Sequence, residues 1–398
     1  MKILMYDWNL DILGGGQKIN CHVAYILQKE HEVTFICRKP VKKEFLENAY
    51  GVDLSNINFK QLKFKPIIKH IPAGLYNSLL KQYNNIAEAK EISSLTRQYD
   101  LFINCESDNF QIKPLSNKSL FFWWSFIIND WRKEYNSYNK LLKYSYALPY
   151  KLLAKKFEPF NYIKSYTKVI AISQFIKDCI KKYWNCESEV LYPFVKMPDE
   201  NNLVKKENII IISSRLVLKK KILEMINAFK TLCEKGMKNW QLVIAGLSKD
   251  SSAEYIKTIY KNINNLPVSI QLNVNSNNLN KLYAKSKIIW YMTGLGVDVD
   301  KNPVAMEPFG MAPVEAISHY VVPILFNGGG FKEIVNNGIN GYLVNNLEEL
   351  IGKTIELINN DNKWTIYSKN AYDRSKVFSY ESFSKNLKNI INQTMEKK

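Results

Sequence analysis

The chain has 398 residues, of which 46% are hydrophobic and 23% are charged. This length predicts two domains, and the composition excludes an intrinsically disordered protein. The formal net charge of +18 favours an anionic partner, such as nucleotide phosphate, nucleic acid or an anionic membrane surface, although a solvated lysine surface explains it equally well. The longest apolar run, residues 120–128, is too short to span a bilayer.

The six cysteines are scattered along the chain, without a C-x-x-C pair and without a histidine at metal-ligand spacing beside them. Cysteines of this kind are typical of small buried side chains in an intracellular protein. The first residues, MKILMYDW, enter a strand directly and lack the pattern of a signal peptide. We therefore expect a cytoplasmic protein, either free in solution or peripheral on the cytoplasmic face of a membrane.

The chain opens with the pattern of a doubly wound α/β domain. The predicted elements are a strand at 2–6, a glycine loop at 13–17, a helix at 18–29 and a strand at 31–37. Gly14, Gly15 and Gly16 allow the backbone to approach a ligand closely, or simply make a tight turn. The second strand ends in Arg38 and Lys39 instead of an acidic residue, which disfavours NAD binding.

Three more strands are predicted in the first domain, at 100–105, 120–125 and 168–172. A helix follows the last of them, with Ser173 as its predicted N-cap. The polar stretch 196–208 is the linker that we take as the domain boundary.

Two stretches of the first domain, residues 60–83 and 121–166, mix basic with aromatic and apolar side chains. Such stretches dock on anionic lipid headgroups or grip a single-stranded nucleic acid. An ordinary core with solvated lysines gives the same pattern, so the membrane surface stays one of several readings.

The second domain begins with an apolar strand at 208–213, which Arg215 and Lys220 follow. At the carboxyl edge of a parallel strand these two residues suit a pyrophosphate, as a bidentate fork and a point charge, or they are surface charges beside a helix. Gly246 ends the next strand. The other predicted elements are strands at 240–246, 268–272, 288–292, 321–326 and 341–344, and helices at 276–285, 347–358 and 380–395.

The most informative stretch is residues 306–335, which place Glu307 and Glu315 eight positions apart. Pro308 prevents one helix from running through both, so we expect a turn at Phe309-Gly310 and a helix from Met311. The free N–H groups of such a helix start bind phosphate readily. A strand and a tri-glycine turn follow, and a site with these amides, carboxylates and close-approach glycines suits a nucleotide sugar.

The pattern E-P-F-G-x-x-x-x-E, followed by a strand and G-G-x-x-E-I-V, resembles the donor site of family 4 of the glycosyltransferases, which are retaining enzymes of the GT-B fold. Arg215 and Lys220 match the R-L-x-x-x-K-G pattern of the family, with Lys221 in place of its glycine. Tyr320 stands where the family usually has glycine after the motif helix. In close relatives a histidine often ends the strand at 120–125, where this chain has Trp124 and Ser125.

The resemblance implies two doubly wound α/β domains of Rossmann type that face a central cleft. Residues 1–198 form the N-terminal, acceptor-side domain, residues 199–375 bind the nucleotide sugar, and residues 376–398 contain a helix that crosses back to the N-terminal domain. The C-terminal domain supplies the catalytic residues Glu307, Arg215 and Lys220. The implied donor-binding residues are Gly14, Gly15, Gly16, Arg215, Lys220, Gly246, Glu307, Phe309, Gly310, Met311, Ala312 and Glu315.

The implied reaction moves a hexose of mannose or glucose type from a GDP- or UDP-sugar to a hydroxyl of a glycan or lipid-linked acceptor, with retention and without a metal or other cofactor. Trp124 and Ser125 are the acceptor-side candidates, and Trp124 either stacks on a sugar or is a core residue. The alternative is an inactive GT-B relative that binds lipid or a partner. A nucleic-acid-binding protein would rest on charge alone.

Overall fold

The computed structural model describes residues 1–12, 14–63, 77–106, 111–124, 162–199, 204–248 and 251–397. These residues form two compact units, each built on a parallel sheet. The first unit comprises Met1–Ile172, Ile176–Leu191 and Ser384–Lys398, and the second comprises Ser173–Phe175 and Tyr192–Phe383. The predicted α/β class with doubly wound sheets is confirmed, while the predicted domain limits and the role of each domain stay predictions.

The sheet of the first unit has the strand order β3-β2-β1-β4-β5-β6-β7 within the described residues, and all its pairings are parallel. Its inner strands are buried almost throughout, which explains why they are continuous apolar runs. The strands are β1 (Lys2–Tyr6), β2 (Glu32–Cys37), β3 (Asn58–Gln61), β4 (Leu101–Asn104), β5 (Lys118–Trp123), β6 (Lys168–Ala171) and β7 (Glu189–Val190).

The helices of the first unit begin with α1 (Gly15–Leu27), which starts three residues earlier than the predicted bound at residue 18. Gly15 and Gly16 therefore lie in the first helical turn and not in a loop. Neither has a positive φ, so both fit a helix. The other described helices are α2 (Lys43–Tyr50), α3 (Asn77–Thr96), α4 (Gln174–Trp184), whose first two residues belong to the second unit, and α12 (Tyr380–Glu396), which belongs to the first unit from Ser384 onward.

The sheet of the second unit has the order β10-β9-β8-β11-β12-β13, as far as the described residues go, and is also parallel. The order reverses between β8 and β11, and ligands of open α/β sheets bind outside the carboxyl ends of the strands at such a point. The strands are β8 (Ile209–Arg215), β9 (Gln241–Leu247), β10 (Val268–Leu272), β11 (Ile288–Tyr291), β12 (Val322–Phe326) and β13 (Tyr342–Val344).

The helices of the second unit cover its sheet and enclose a core that includes Ile212, Phe229, Trp290 and Ile324. Two helices, at 276–285 and 347–358, begin and end at the residues predicted from the sequence. The described helices are α5 (Ile222–Glu234), α6 (Ala253–Asn262), α7 (Ser276–Lys285), α8 (Met311–Ile317), α9 (Phe331–Ile334), α10 (Leu347–Ile358) and α11 (Asp361–Ser375).

Across the described residues, no helix combines the length and the apolar character that crossing a membrane requires. The basic aromatic stretches at 60–83 and 121–166 fall largely outside the described residues, as does Ser125. Their proposed contact with a membrane therefore stays a prediction.

Candidate functional site

The predicted donor site lies where the strand order of the second sheet reverses. Arg215 is the exposed last residue of β8, and a short 3-10 turn, Leu218–Lys220, follows it. Tyr291 ends the neighbouring strand β11, and the chain then continues to Glu307. Because both strands end at the same edge, the turn after β8 and the loop after β11 flank the switch point.

Two predicted catalytic residues form an ion pair at this edge. The Lys220 ammonium lies 2.5 Å from a carboxylate oxygen of Glu307, and their side chains are only 9% and 16% exposed. The same ammonium lies 5.0 Å from the centre of the Tyr291 ring. Removing one partner of a shielded ion pair leaves an uncompensated charge, which is strongly destabilising. Lys220 therefore needs Glu307 or an anionic ligand, and Glu307 needs Lys220 or a polar ligand that donates hydrogen bonds.

Tyr291 is a member of the site that sequence reasoning missed. Burial raises its pKa well above the usual value, Glu307 and Glu315 raise it further, and Arg215 lowers it. Three predicted site residues therefore act electrostatically on one phenol. Its place as the last residue of a strand at the switch point was the signal that could have found it.

The cations of the turn after β8 also lie close to one another. Desolvation lowers the pKa of Lys219, the charges of Lys220 and Arg215 lower it further, and Glu307 raises it. Three like charges at one strand end repel each other, so a polyanion such as a diphosphate would be favoured there.

The turn before α8 has the predicted form. Gly310 has φ +112°, and a Cβ on it would lie 2.9 Å from the Phe331 ring, so this position requires glycine. The helix starts at Met311 as predicted. Met311 and Ala312 are partly exposed in its first turn, where backbone N–H groups lack intrahelical partners.

The tri-glycine turn serves packing of the Glu307 loop, whereas we expected its glycines to admit a ligand. A Cβ on Gly329 would lie 2.4 Å from the Glu307 carbonyl oxygen, and one on Gly330 would lie 2.4 Å from Phe309 Cα. The Gly330 N–H also donates to the Glu307 carbonyl at 2.9 Å. The loop backbone fills the space that these glycines leave.

Packing explains why two of the predicted donor-binding positions are occupied by Phe309 and Gly246. The Phe309 ring is buried and packs on Tyr192 and Phe378, with ring centres 5.7 and 5.3 Å away, so its side chain serves the core. A Cβ on Gly246 would lie 2.7 Å from the Leu216 side chain, so this glycine makes room for a leucine. Any donor contact of either residue would use its backbone.

Glu315 lies on α8 and is half-buried. Besides Tyr291, it raises the pKa of the fully buried Tyr283, for which burial is the larger cause. The charge of Glu315 therefore acts on two buried phenols, those of Tyr283 and Tyr291, and its contact with the donor stays a prediction.

Trp124 in the first unit is buried, which agrees with the alternative of a core residue, and its role on the acceptor side stays a prediction. Its indole N–H donates to the Asn20 side-chain oxygen at 2.7 Å, and the Asn20 amide donates to Asp7 at 2.8 Å. Burial raises the pKa of Asp7, while hydrogen bonds from Asn9, Asn20 and Gln17 lower it. Sequence reasoning missed this network, although a carboxylate directly after β1 was visible.

The glycines at the start of α1 differ from those of the second unit. Within the described structure, a Cβ on Gly15 would meet no atom within 4 Å, and one on Gly16 would meet only Trp124 at 3.8 Å. Gly14 exchanges hydrogen bonds with the Tyr50 hydroxyl, at 3.0 and 3.2 Å. Packing therefore does not explain why Gly15 and Gly16 lack side chains.

The described residues contain no cluster of three or more histidine, cysteine or carboxylate side chains arranged to hold a metal ion. Asp298 accepts the Asp300 backbone N–H at 3.0 Å and pairs with Lys301 at 2.9 Å. The expectation that no metal is needed stays a prediction.

Part or all of this chain resembles known glycosyltransferases. Residues 195–374 match the family of glycosyl transferases group 1. An uncharacterized glycosyltransferase of Methanocaldococcus jannaschii is 40% identical over 81 residues, which are 20% of this chain and 23% of that protein. The aligned part thus spans less than a quarter of that relative.

Two solved structures resemble the whole chain. A glycosyltransferase from Rickettsia africae is 17% identical with a TM-score of 0.67 and covers 100% of this chain and 99% of its own. HepE of Anabaena, solved in complex with UDP-glucose, is 14% identical with a TM-score of 0.65 and covers 99% of this chain and 100% of its own. At these identities the likeness shows the fold.

The fold of the chain is therefore that of the GT-B glycosyltransferases, as expected. The family match of residues 195–374 and the resemblance to a glycosyltransferase support a transferase enzyme.

Proposed function

We propose that the protein is a retaining glycosyltransferase of family 4, which transfers a hexose from a nucleoside-diphosphate sugar to a hydroxyl. The observation that carries the proposal is the shielded Lys220–Glu307 ion pair beside Arg215 at the switch point of the second sheet. The pair holds a cation for phosphate and a carboxylate for sugar hydroxyls in one place.

Departure of the diphosphate leaving group is the difficult step, because negative charge grows on it while the sugar becomes oxocarbenium-like. Arg215 and Lys220 would stabilise that charge, together with backbone N–H groups at Gly310, Met311 and Ala312. Lys220 would then exchange part of its contact with Glu307 for a phosphate oxygen. Glu307 would be freed to hydrogen-bond the sugar near its anomeric centre.

Glu315 would accept hydrogen bonds from the ribose hydroxyls of the donor. Gly246 and Phe309 would contribute only backbone contacts, since their side-chain positions are explained by packing. Gly14, Gly15 and Gly16 remain proposed donor contacts from the first unit. The reaction as proposed uses no divalent metal.

The complex of HepE with UDP-glucose makes UDP-glucose the first donor to test here, and GDP-mannose the second. The proposed acceptor is a hydroxyl of a glycan or of a lipid-linked sugar. Purified protein would be offered each donor, with hydrolysis and transfer measured by release of the nucleoside diphosphate, with and without EDTA.

Arg215→Ala and Glu307→Ala should each lower kcat by about 10²- to 10³-fold, the usual effect of losing one group that stabilises transition-state charge. Glu234→Ala is the matched control, because Glu234 forms an exposed pair with Lys230 on α5. Equal turnover in the wild type and both site variants would contradict the proposal. Loss of turnover in EDTA would contradict the metal-free mechanism.

Cytoplasmic location and peripheral membrane binding complete the proposal. Their support is the sequence alone: the cysteine usage and the basic aromatic stretches at 60–83 and 121–166. Co-sedimentation with vesicles containing anionic lipid at low salt would test the second point, and its absence would refute it.

A further inference from the structure

The loop that carries Glu307 is held by a short segment that follows β6, residues Ser173–Phe175. The Ser173 hydroxyl donates to the Pro308 carbonyl at 2.6 Å, and Ser173 is fully buried. Pro308 is the residue directly after Glu307. A buried hydroxyl therefore fixes the backbone next to the proposed sugar-binding carboxylate.

Glu333 also holds the segment Ser173–Phe175, through hydrogen bonds to its backbone. Its two carboxylate oxygens accept the backbone N–H groups of Gln174 at 2.7 Å and Phe175 at 2.9 Å. Glu333 lies in α9, which begins right after Gly330, and its carbonyl accepts a hydrogen bond from Arg374. Charge-assisted bonds of this kind are stronger than neutral ones.

Consecutive residues of the Glu307 loop are thus fixed one by one. The Glu307 carbonyl accepts from Gly330, the Pro308 carbonyl from Ser173, and the Phe309 ring packs on Tyr192. Burial and the charge of Glu333 raise the pKa of Tyr192 to about 12, so its phenol stays protonated at neutral pH. These contacts hold the backbone on both sides of the peptide that follows Glu307, whose carboxylate pairs with Lys220.

We propose that Ser173 is a positioning residue, which sets the place of the Glu307 carboxylate through Pro308, and that Glu333 holds Ser173 in position. Neither residue needs to touch the donor. The effect on sugar binding rests on the proposed function, whereas the ordering of the loop does not.

The first test measures loop order without any ligand. In Ser173→Ala, the hydrogen-bonded backbone amides of Val314 and Gly330 should exchange with deuterium about tenfold faster than in the wild type. Ser368→Ala is the matched control, since its hydroxyl is also buried and donates to a distant carbonyl, that of Tyr320, at 2.7 Å. Glu333→Gln should accelerate the same amides while Ser173 is intact. Unchanged exchange in both variants would overturn the inference.

The second test separates positioning from a general loss of structure. Ser173→Ala should weaken the binding of UDP-glucose, or of GDP-mannose if that is the preferred donor, by about tenfold. Binding of the matching nucleoside diphosphate, which lacks the sugar, should change less than twofold. In a Glu307→Gln background, Ser173→Ala should have no further effect, because residues that act through one another are not additive.

Additive losses, or equal losses for donor and diphosphate, would show that Ser173 does not act through Glu307. If the wild type binds neither donor nor diphosphate, the proposed function fails, and the exchange measurement alone decides whether Ser173 orders the loop.

Discussion

The two sheets share the order 3-2-1-4-5-6 over their first six strands, yet their carboxyl edges are chemically different. In the second unit, charged side chains gather around Tyr291, and Lys220 pairs with Glu307. In the first unit, Asp7 lies buried in a network with Asn20 and Trp124. One topology thus presents an ionic edge in one unit and a sealed polar network in the other.

The glycines show the same difference. Gly329 and Gly330 of the second unit are needed because backbone occupies the place of their side chains. Among the described residues, Gly15 of the first unit has open space around its Cβ position, and a Cβ on Gly16 would meet only Trp124, at 3.8 Å. A glycine that packing demands reports on the fold, and one that packing does not demand is a better candidate for ligand contact.

The largest expected effect is that of Gly330→Ala. Its Cβ would lie 2.4 Å from Phe309 Cα and 2.6 Å from the Pro308 carbonyl oxygen, so the Glu307 loop must shift. We expect the free energy of unfolding to fall by about 3 kcal/mol, measured by urea denaturation.

Gly352→Ala is the control for that substitution. Gly352 lies within α10, and among the described atoms none is within 4 Å of its Cβ position, so alanine should stabilise by about 0.5–1 kcal/mol. Similar results for the two variants would contradict the packing reason given for the tri-glycine turn.

Gly15→Ala tests whether this glycine of the first unit is needed for catalysis and not for packing. Alanine suits the first turn of α1, so the free energy of unfolding should stay the same or rise by less than about 1 kcal/mol. If the backbone here approaches the donor, kcat/KM should fall by about tenfold, which corresponds to ~1.4 kcal/mol. Unchanged kinetics would leave this glycine without a role in catalysis.

Two positions where the resembled family has glycine should respond in opposite directions. Lys221 and Tyr320 have φ values of +59° and +63°, which cost a side-chain-bearing residue about 1 kcal/mol. Lys221→Gly should therefore stabilise by about that amount. Tyr320→Gly should destabilise by about 1 kcal/mol, because it loses the stacking on Tyr372, with ring centres 4.2 Å apart.

Urea denaturation of both variants measures this difference in sign. Stabilisation by Tyr320→Gly would mean that the aromatic stack does not offset the backbone conformation.

The smallest effect concerns pH and the first unit. Burial, and then the charge of Lys18, lowers the pKa of His22 to about 4, whereas the unfolded chain titrates near 6.5. Between these values only the unfolded state takes up the proton, so stability is full above pH 6.5 and falls toward pH 4. Because the ring is partly exposed, we expect less than about 1 kcal/mol.

His22→Gln should flatten this part of the stability curve without changing the acidic limb that carboxylates cause. An unchanged slope between pH 4 and 6.5 would place the titration on other groups.

The sequence predicted most of the second unit because its elements are locally encoded. The helices at 276–285 and 347–358 start at asparagine caps and end where their apolar period stops, so their bounds were accessible. The start of α1 could not be predicted from the sequence, because glycines in the first turn of a helix resemble a loop when only the sequence is known.

The charged residues of the candidate site could be proposed from the sequence, but the contacts that hold its loop could not. The sequence pattern suggests Arg215, Lys220, Glu307 and Glu315, their roles come from the family resemblance, and these roles stay predictions. Ser173 contacts Pro308, which lies 135 residues away in sequence, and Glu333 contacts Gln174, which lies 159 residues away. Contacts over such separations leave no local pattern in the sequence. The packing roles of Phe309 and Gly246 were hidden for the same reason.

The course of α12 has a consequence for biosynthesis. Leu387, Ile390 and Ile391 are buried residues of the first unit, and Lys388 pairs there with Glu30. Yet about 190 residues of the second unit are translated between Leu191 and Ser384. At ~5–20 residues per second, the translation of these residues takes about 10–40 s. During this time the apolar surface that α12 covers stays exposed on the first unit, and a chaperone would bind the nascent chain there.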